Sequence, residues 1–242
     1  MRLHVYGVVR ASHPLLPSAV PRLVVWQDLA AAVSELPADR EPTEQDVLAQ
    51  LEVLATLVTR GPVVPLRFGT VAADEDAVRA ELLVPAAPRL RAQFDRLDGL
   101  VEAHVCLRFE ETAALRAVFA AKPEWLSVAS RGGPLDLHGQ IQLGELVAAQ
   151  LVDWRRARSD ALLAPIVAVA SGSVALPERE HTEERRAFLL PHEQLPAVRA
   201  VVAEIDEQAA VTASCVGPLP GYSFLDEPGD GTATESGSRW GW

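Results

Sequence analysis

Ten consecutive residues, Leu100–Phe109, alternate so regularly that the chain has little conformational choice there. Val101, Ala103, Val105 and Leu107 fall on one side, and Glu102, His104, Cys106 and Arg108 on the other. A period of two belongs to an extended strand, whose successive side chains point to opposite faces. The residues after this strand narrow the fold further. A short helix is expected over about 112–121, then a polar loop around Arg131-Gly132-Gly133-Pro134. Over 140–163, Leu143, Val147, Leu151 and Trp154 recur at helical spacing. Residues 165–174 read as an apolar strand, 177–184 as a Glu-rich connection, and 186–190 as the next strand. A helix is expected over 193–207, with Leu195, Val198, Val202 and Ile205 on one face, and 210–216 closes the set as a strand. With about 111–139 set aside as an insertion, the order is β-α-β-β-α-β, the ferredoxin-like arrangement.

The first half has a different order. Residues 2–9 alternate as a strand ending in turn chemistry at Ser12-His13-Pro14, and 21–26 and 29–33 read as short strands. Over 43–60, Val47, Leu51, Leu54 and Val58 share one helical face, with Thr43 as N-cap and Gly61-Pro62 as the stop. Residues 63–68 return as a strand. Asp74-Glu75-Asp76 then place negative charge at the positive end of another helix. Pro85 and Pro88 are expected to interrupt that helix, because proline lacks an N–H and clashes with the preceding turn. A continuation carries Leu90, Phe94 and Leu97. The reading is therefore α+β: an N-terminal α+β domain over 1–98, a modified ferredoxin-like (βαββαβ) domain over 99–225, and a flexible tail over 226–242. That tail is rich in Gly, Ser, Thr and acid, with Trp240 and Trp242 near its end.

Charge excludes some functions. Lys plus Arg number 22 and Asp plus Glu 33, a net of −11. Such a chain repels phosphate backbones and anionic lipid surfaces, so neither a nucleic acid nor a membrane is expected as partner. No stretch approaches the roughly 20 apolar residues of a membrane span, and the first residues are too short and mixed for a signal peptide. Two cysteines, Cys106 and Cys215, make no disulfide framework. A reduced cytoplasmic protein is the expectation.

Candidate sites are few. Arg67 and the helix start beyond it invite an anion, but no glycine-rich cradle with a lysine is present. Asp74, Glu75 and Asp76 already occupy the dipole end, so Arg67 is expected to pair with one of them. His104, Cys106 and Cys215 lack the fourth ligand of a tetrahedral zinc site. Glu178, Glu180, His181, Glu183 and Glu184 read as a solvated acidic loop. No Gly-x-Ser-x-Gly elbow occurs. Catalytic, metal and cofactor residues are all expected to be absent.

Four segments resemble the GvpF/GvpL gas vesicle family. They are Val5-Tyr6-Gly7-Val8-Val9; Pro65-Leu66-Arg67-Phe68-Gly69-Thr70-Val71 with Asp74-Glu75; Gly99-Leu100-Val101-Glu102; and Gly217-Pro218-Leu219-Pro220-Gly221-Tyr222-Ser223-Phe224. The second and fourth are long and unusual, and the resemblance spans roughly residues 2–225. Family members often carry an aromatic residue and a lysine shortly after the Val-Glu pair, where this chain has Ala103, His104 and Leu107. They also often carry an aromatic between the closing prolines, where it has Leu219.

The resemblance implies a non-enzymatic component of gas vesicle assembly that binds the small hydrophobic shell subunit (GvpA-like) and other accessory proteins in the cytoplasm. On that reading Arg67, Phe68, Tyr222 and Phe224 are the candidate contact residues. Exposed apolar residues are expected to cluster on one surface, because a component that holds aggregation-prone subunits must offer them apolar area. The rivals are a small-molecule enzyme on a ferredoxin-like domain, which needs a deep pocket with convergent titratable groups, and an RNA-binding module, which needs a basic sheet face with exposed aromatics.

Overall fold

In the computed structural model, which describes residues 2–14, 21–37, 43–122 and 137–225, the first strand organises its surroundings. β1 (Arg2–Arg10) pairs antiparallel with β3 (Leu29–Leu36) along one edge. Its other edge takes β4 (Val63–Pro65) and β5 (Val71–Ala72), and β2 (Arg22–Trp26) pairs with the outer side of β3. Ala30, Ala31 and Ala32 are all fully buried in β3. Alanine is a poor strand former by itself, so burial on a packed sheet decides the outcome here.

β1 separates two faces, and a register shift between Val5 and Gly7 returns Val8 to the face of Leu3 and Val5. Leu3, Val5 and Val8 join a core with Val78, Leu82, Leu83, Ala87, Leu90 and Phe94 of the helical segment after β5. His4, between two of those strand residues, instead reaches Gln50 of α1 (Glu44–Val58). Helices therefore cover both faces of this sheet. Thr43 is the N-cap of α1, as its sequence position suggests. The Asp46 carboxylate reaches back to accept from the Thr43 backbone N–H and hydroxyl, each at 2.8 Å, in a capping-box arrangement.

The expected break at Pro85 and Pro88 does not occur. α2 (Glu75–Ala77), a π-helical segment (Val78–Leu83) and α3 (Val84–Leu97) run on from one another without a gap. The π segment is the physical reason: Val84 donates to the Arg79 carbonyl, five residues back, so the hydrogen-bond register is already wide where Pro85 enters. Pro85 follows at once, where the widened register relieves its ring of the clash with the preceding turn, and Pro88 lies inside α3.

The second half comprises β6 (Leu100–Phe109), α4 (Glu111–Ala121), α5 (Leu137–Val167), β7 (Gly172–Ala175), β8 (Glu183–Pro191), α6 (Leu195–Asp206) and β9 (Val211–Leu219). Strand order is β7-β8-β6-β9, so the third strand inserts between the first two and the last lies outside the first, as in a split βαβ pair. The apolar stretch 165–174 is not the strand expected. α5 runs on through Pro165 to Val167, and only Gly172–Ala175 is extended. Leu163 and Ile166 are buried on the same stripe as Arg155 and Ser159, and that stripe holds the last turn in the helix.

The chain divides into two compact units. One holds the described residues within 1–103, 189–195 and 217–225, the other those within 104–188 and 196–216. The expected loop at 131–134 and the tail 226–242 with its two tryptophans lie outside the described residues.

Candidate partner-binding site

Within the first unit, the sequence segments that stand out meet one another. Gly7 faces Pro65 across the β1–β4 pair, and a Cβ at Gly7 would stand 2.8 Å from the Val64 carbonyl oxygen. Only glycine admits that approach. Leu66 donates to the Tyr6 carbonyl at 3.0 Å. The chain then turns: Thr70 donates to the Arg67 carbonyl from its hydroxyl at 2.6 Å, and Gly69 adopts φ +83°. This turn leaves Arg67 exposed and Phe68 half-buried, its ring centroid 6.1 Å from that of His4.

The third and fourth segments form a latch. Glu102 is fully buried, and its carboxylate accepts from the Ser223 backbone N–H at 2.8 Å and hydroxyl at 2.7 Å. A buried carboxylate is costly without such donors, and charge-assisted bonds of this kind are the strong ones. A Cβ at Gly217 would lie 3.1 Å from the Glu102 carbonyl, and one at Gly221 would lie 2.9 Å from the Leu97 side chain, so both glycines allow the closing segment to press close.

The latch fixes the two aromatics differently. Phe224 turns inward at 7% exposure, while Tyr222 remains 40% exposed. The Tyr222 hydroxyl lies near Gln50, and burial pushes its pKa up to about 12. Gln50 itself is buried and also donates to the Leu66 carbonyl at 3.2 Å while accepting from His4 Nε2 at 3.1 Å. One amide thus ties β1 and the 65–71 turn to α1. Sequence reasoning missed Gln50, Glu102 and Ser223 as organising residues. A lone acid between two apolar neighbours of a strand, Val101 and Ala103, is the signal that could have found Glu102.

Around this hub lie two distinct surface features. On α1, Leu54, Leu57 and Val58 are buried, yet Val47, Leu48 and Leu51 of the preceding turns stand 37%, 58% and 45% exposed. At 100° per residue these three fall along one flank of the helix. Its other flank, at Asp46 and Ala49, borders a pocket of about 130 Å³ walled by His4, Tyr6 and Phe68. In that pocket Ser34 Oγ lies 3.0 Å from the Tyr6 hydroxyl. Burial holds the His4 imidazole below its usual pKa, which leaves it uncharged at neutral pH.

The remaining sequence candidates resolve otherwise. Arg67 does not pair with the acids after it: Glu75 pairs with Arg22 and Arg79, and Asp76 with Arg79. The acidic stretch is an exposed loop over 178–181, as expected, and Glu183 and Glu184 then open β8. Arg155, 7% exposed, donates to Glu178 and to the His181 carbonyl. Arg108 binds Glu183 at 2.6 Å, Glu183 itself being 3% exposed, and approaches Glu180 at 3.5 Å. Arginines from β6 and α5 neutralise the run. Cys106 and Cys215 are free and half-buried, and burial raises both thiol pKa values. Among the described residues no group of three His, Cys, Asp or Glu is placed to hold a metal ion, and no helix is long and apolar enough to cross a membrane.

Solved structures with this fold are known. The chain superposes on the crystal structure of gas vesicle protein GvpF from Anabaena with a TM-score of 0.81 at 19% identity, covering 93% of this chain and 98% of that one. GvpF from Microcystis aeruginosa gives 0.76 at 19% identity, covering 93% and 99%. Sequence relatives include gas vesicle protein F of a Streptomyces strain, 34% identical over 93% of this chain and the whole of the relative. Gas vesicle protein L2 of Halobacterium salinarum is 28% identical over 69% of this chain and 67% of that protein. The model of the gas vesicle synthesis protein GvpL/GvpF family matches residues 2–226, so the four converging segments are features of a chain that belongs to that family.

Proposed function

We propose that the protein serves gas vesicle formation by binding rather than catalysis, holding the small hydrophobic shell subunit and other accessory proteins in the cytoplasm during assembly. The observation that supports this most is the exposed flank of α1, where Val47, Leu48 and Leu51 remain in water, together with exposed Tyr222 near Gln50 of the same helix. Each such side chain gains roughly 1.5–3 kcal/mol when fully buried, so the strip favours an apolar partner. A net charge of −11 keeps the chain itself soluble meanwhile.

Phe68 and Tyr222 remain the contact residues of choice on this reading. Arg67 offers a charge beside them, and Phe224 serves by holding Tyr222 in place. The test is co-purification of tagged protein with the shell subunit, both expressed in a vesicle-free host. Retention is expected, and it should be lost in a Leu48→Asp, Leu51→Asp variant that keeps its circular dichroism spectrum. Equal retention by that variant would refute the α1 contact.

A further inference from the structure

We propose that the pocket bounded by His4, Tyr6, Phe68, Glu35, Asp46 and Ala49 is a receptor for one arginine side chain of a partner protein. Its size argues first. At about 130 Å³ it is smaller than the roughly 300–1,000 Å³ of pockets that enclose small-molecule ligands, and it suits a single side chain.

Its lining argues second. Three aromatic rings contribute: His4 and Tyr6 meet edge to face at 4.6 Å between centroids, and Phe68 tilts toward His4 at 6.1 Å. A guanidinium stacks on such faces and is attracted by them within about 6 Å of the ring centroid. Among the described residues the lining contains two carboxylates, Glu35 and Asp46, and no Lys or Arg. Arg67, next to Phe68 in sequence, lies outside it. Asp46 is held in place by its two bonds to Thr43, and Glu35 is exposed.

Arginine rather than lysine fits because a planar fork can stack on Phe68 and bond a carboxylate at once, whereas an ammonium is a hydrated point charge. The pocket occupies the opposite flank of α1 from Val47, Leu48 and Leu51. It therefore adds a polar anchor to the apolar contact, and it rests on the reading of this protein as a binding component.

The test uses the intact, isotope-labelled chain and two probes, N-acetyl-arginine methylamide and its neutral citrulline isostere, monitored by amide chemical shifts. Saturable shifts at Ser34, Glu35, Gly69 and Val71 are expected with the arginine probe. Citrulline should bind at least tenfold more weakly. Glu35→Lys should weaken the arginine probe about tenfold, and Phe68→Leu, which keeps apolar volume but removes the ring, several-fold, with the rest of the spectrum unchanged. Equal binding of citrulline, shifts confined to other residues, or indifference to Glu35→Lys would each overturn the assignment. Tighter binding of free spermidine than of the capped arginine would overturn it in favour of a small amine. Failure of the probe with shell-subunit retention intact removes the pocket alone. Probe binding without retention leaves the pocket standing and removes the shell subunit as partner.

Discussion

The Glu102 carboxylate is fully buried and takes two hydrogen bonds from Ser223, 121 positions away in sequence. Removing a donor from a buried charged acceptor leaves part of its desolvation cost uncompensated, about 1–3 kcal/mol. Ser223→Ala is therefore expected to lower unfolding free energy by that amount, read from urea denaturation, and Glu102→Ala by at least as much. A Ser223→Ala variant as stable as the parent would show that the latch carries no energy. Gly7 gives a second test. A Cβ 2.8 Å from the Val64 carbonyl oxygen cannot be accommodated without moving the β1–β4 pair. Gly7→Ala should cost roughly 1–3 kcal/mol, in line with other overpacked sites.

Among the secondary-structure elements, α1 has two halves with different duties. Leu54 is fully buried, so Leu54→Ala is expected to cost about 2–5 kcal/mol. Leu48, at 58% exposure, should tolerate Leu48→Ser within about 0.5 kcal/mol. Thermal melts of the two variants decide this. A large loss at Leu48 would mean the exposed flank is structural and the binding role has lost its best support. The sequence pattern placed Val47, Leu51, Leu54 and Val58 on one face, and that face is real. Periodicity cannot say which side of such a face the underlying sheet covers, and here Gln50 is buried while Val47 and Leu51 on either side of it in sequence stay exposed. The helical segment from Glu75 to Leu97 meets the same limit. Prolines argue locally for a break, but a widened register upstream of Pro85 and the burial of Leu82, Leu83, Leu90 and Phe94 keep the helix whole.

Across the whole chain, pH dependence arises from buried imidazoles and a paired acid. Burial lowers the pKa of His4 and of His13, whose Nε2 donates to the Leu57 carbonyl at 3.0 Å. A histidine with a depressed folded pKa binds its proton more readily when unfolded. Its contribution is thus complete above the unfolded value near 6.5 and is lost as pH falls toward the folded value. Glu183, held below its ordinary pKa chiefly by the hydrogen bond from Arg108, behaves alike at lower pH, losing its contribution as pH drops below about 4.5. Urea midpoints should therefore fall between pH 7 and 5 and fall again below 4.5. The first decline should flatten in a His4→Gln, His13→Gln variant, and the second in Glu183→Gln. A parent profile flat from pH 7 to 5 would contradict the burial of both imidazoles.

Side-chain spacing along a few turns dictates local features: the alternation of Leu100–Phe109, the capped periodicity of α1 and the order of most strands and helices. The four family segments, too, are legible directly from their residues. Three further features required the packed chain. α5 continues through Pro165 because Ile166 shares a buried stripe with Leu163. The acidic run 178–184 becomes paired charge because strand order brings Arg108, and helix packing brings Arg155, against it. Glu102 meets Ser223, and Gln50 meets both His4 and the Leu66 carbonyl, which brings scattered motifs together. Partners of a buried charge are chosen by distance in space, and no spacing along the chain encodes that distance.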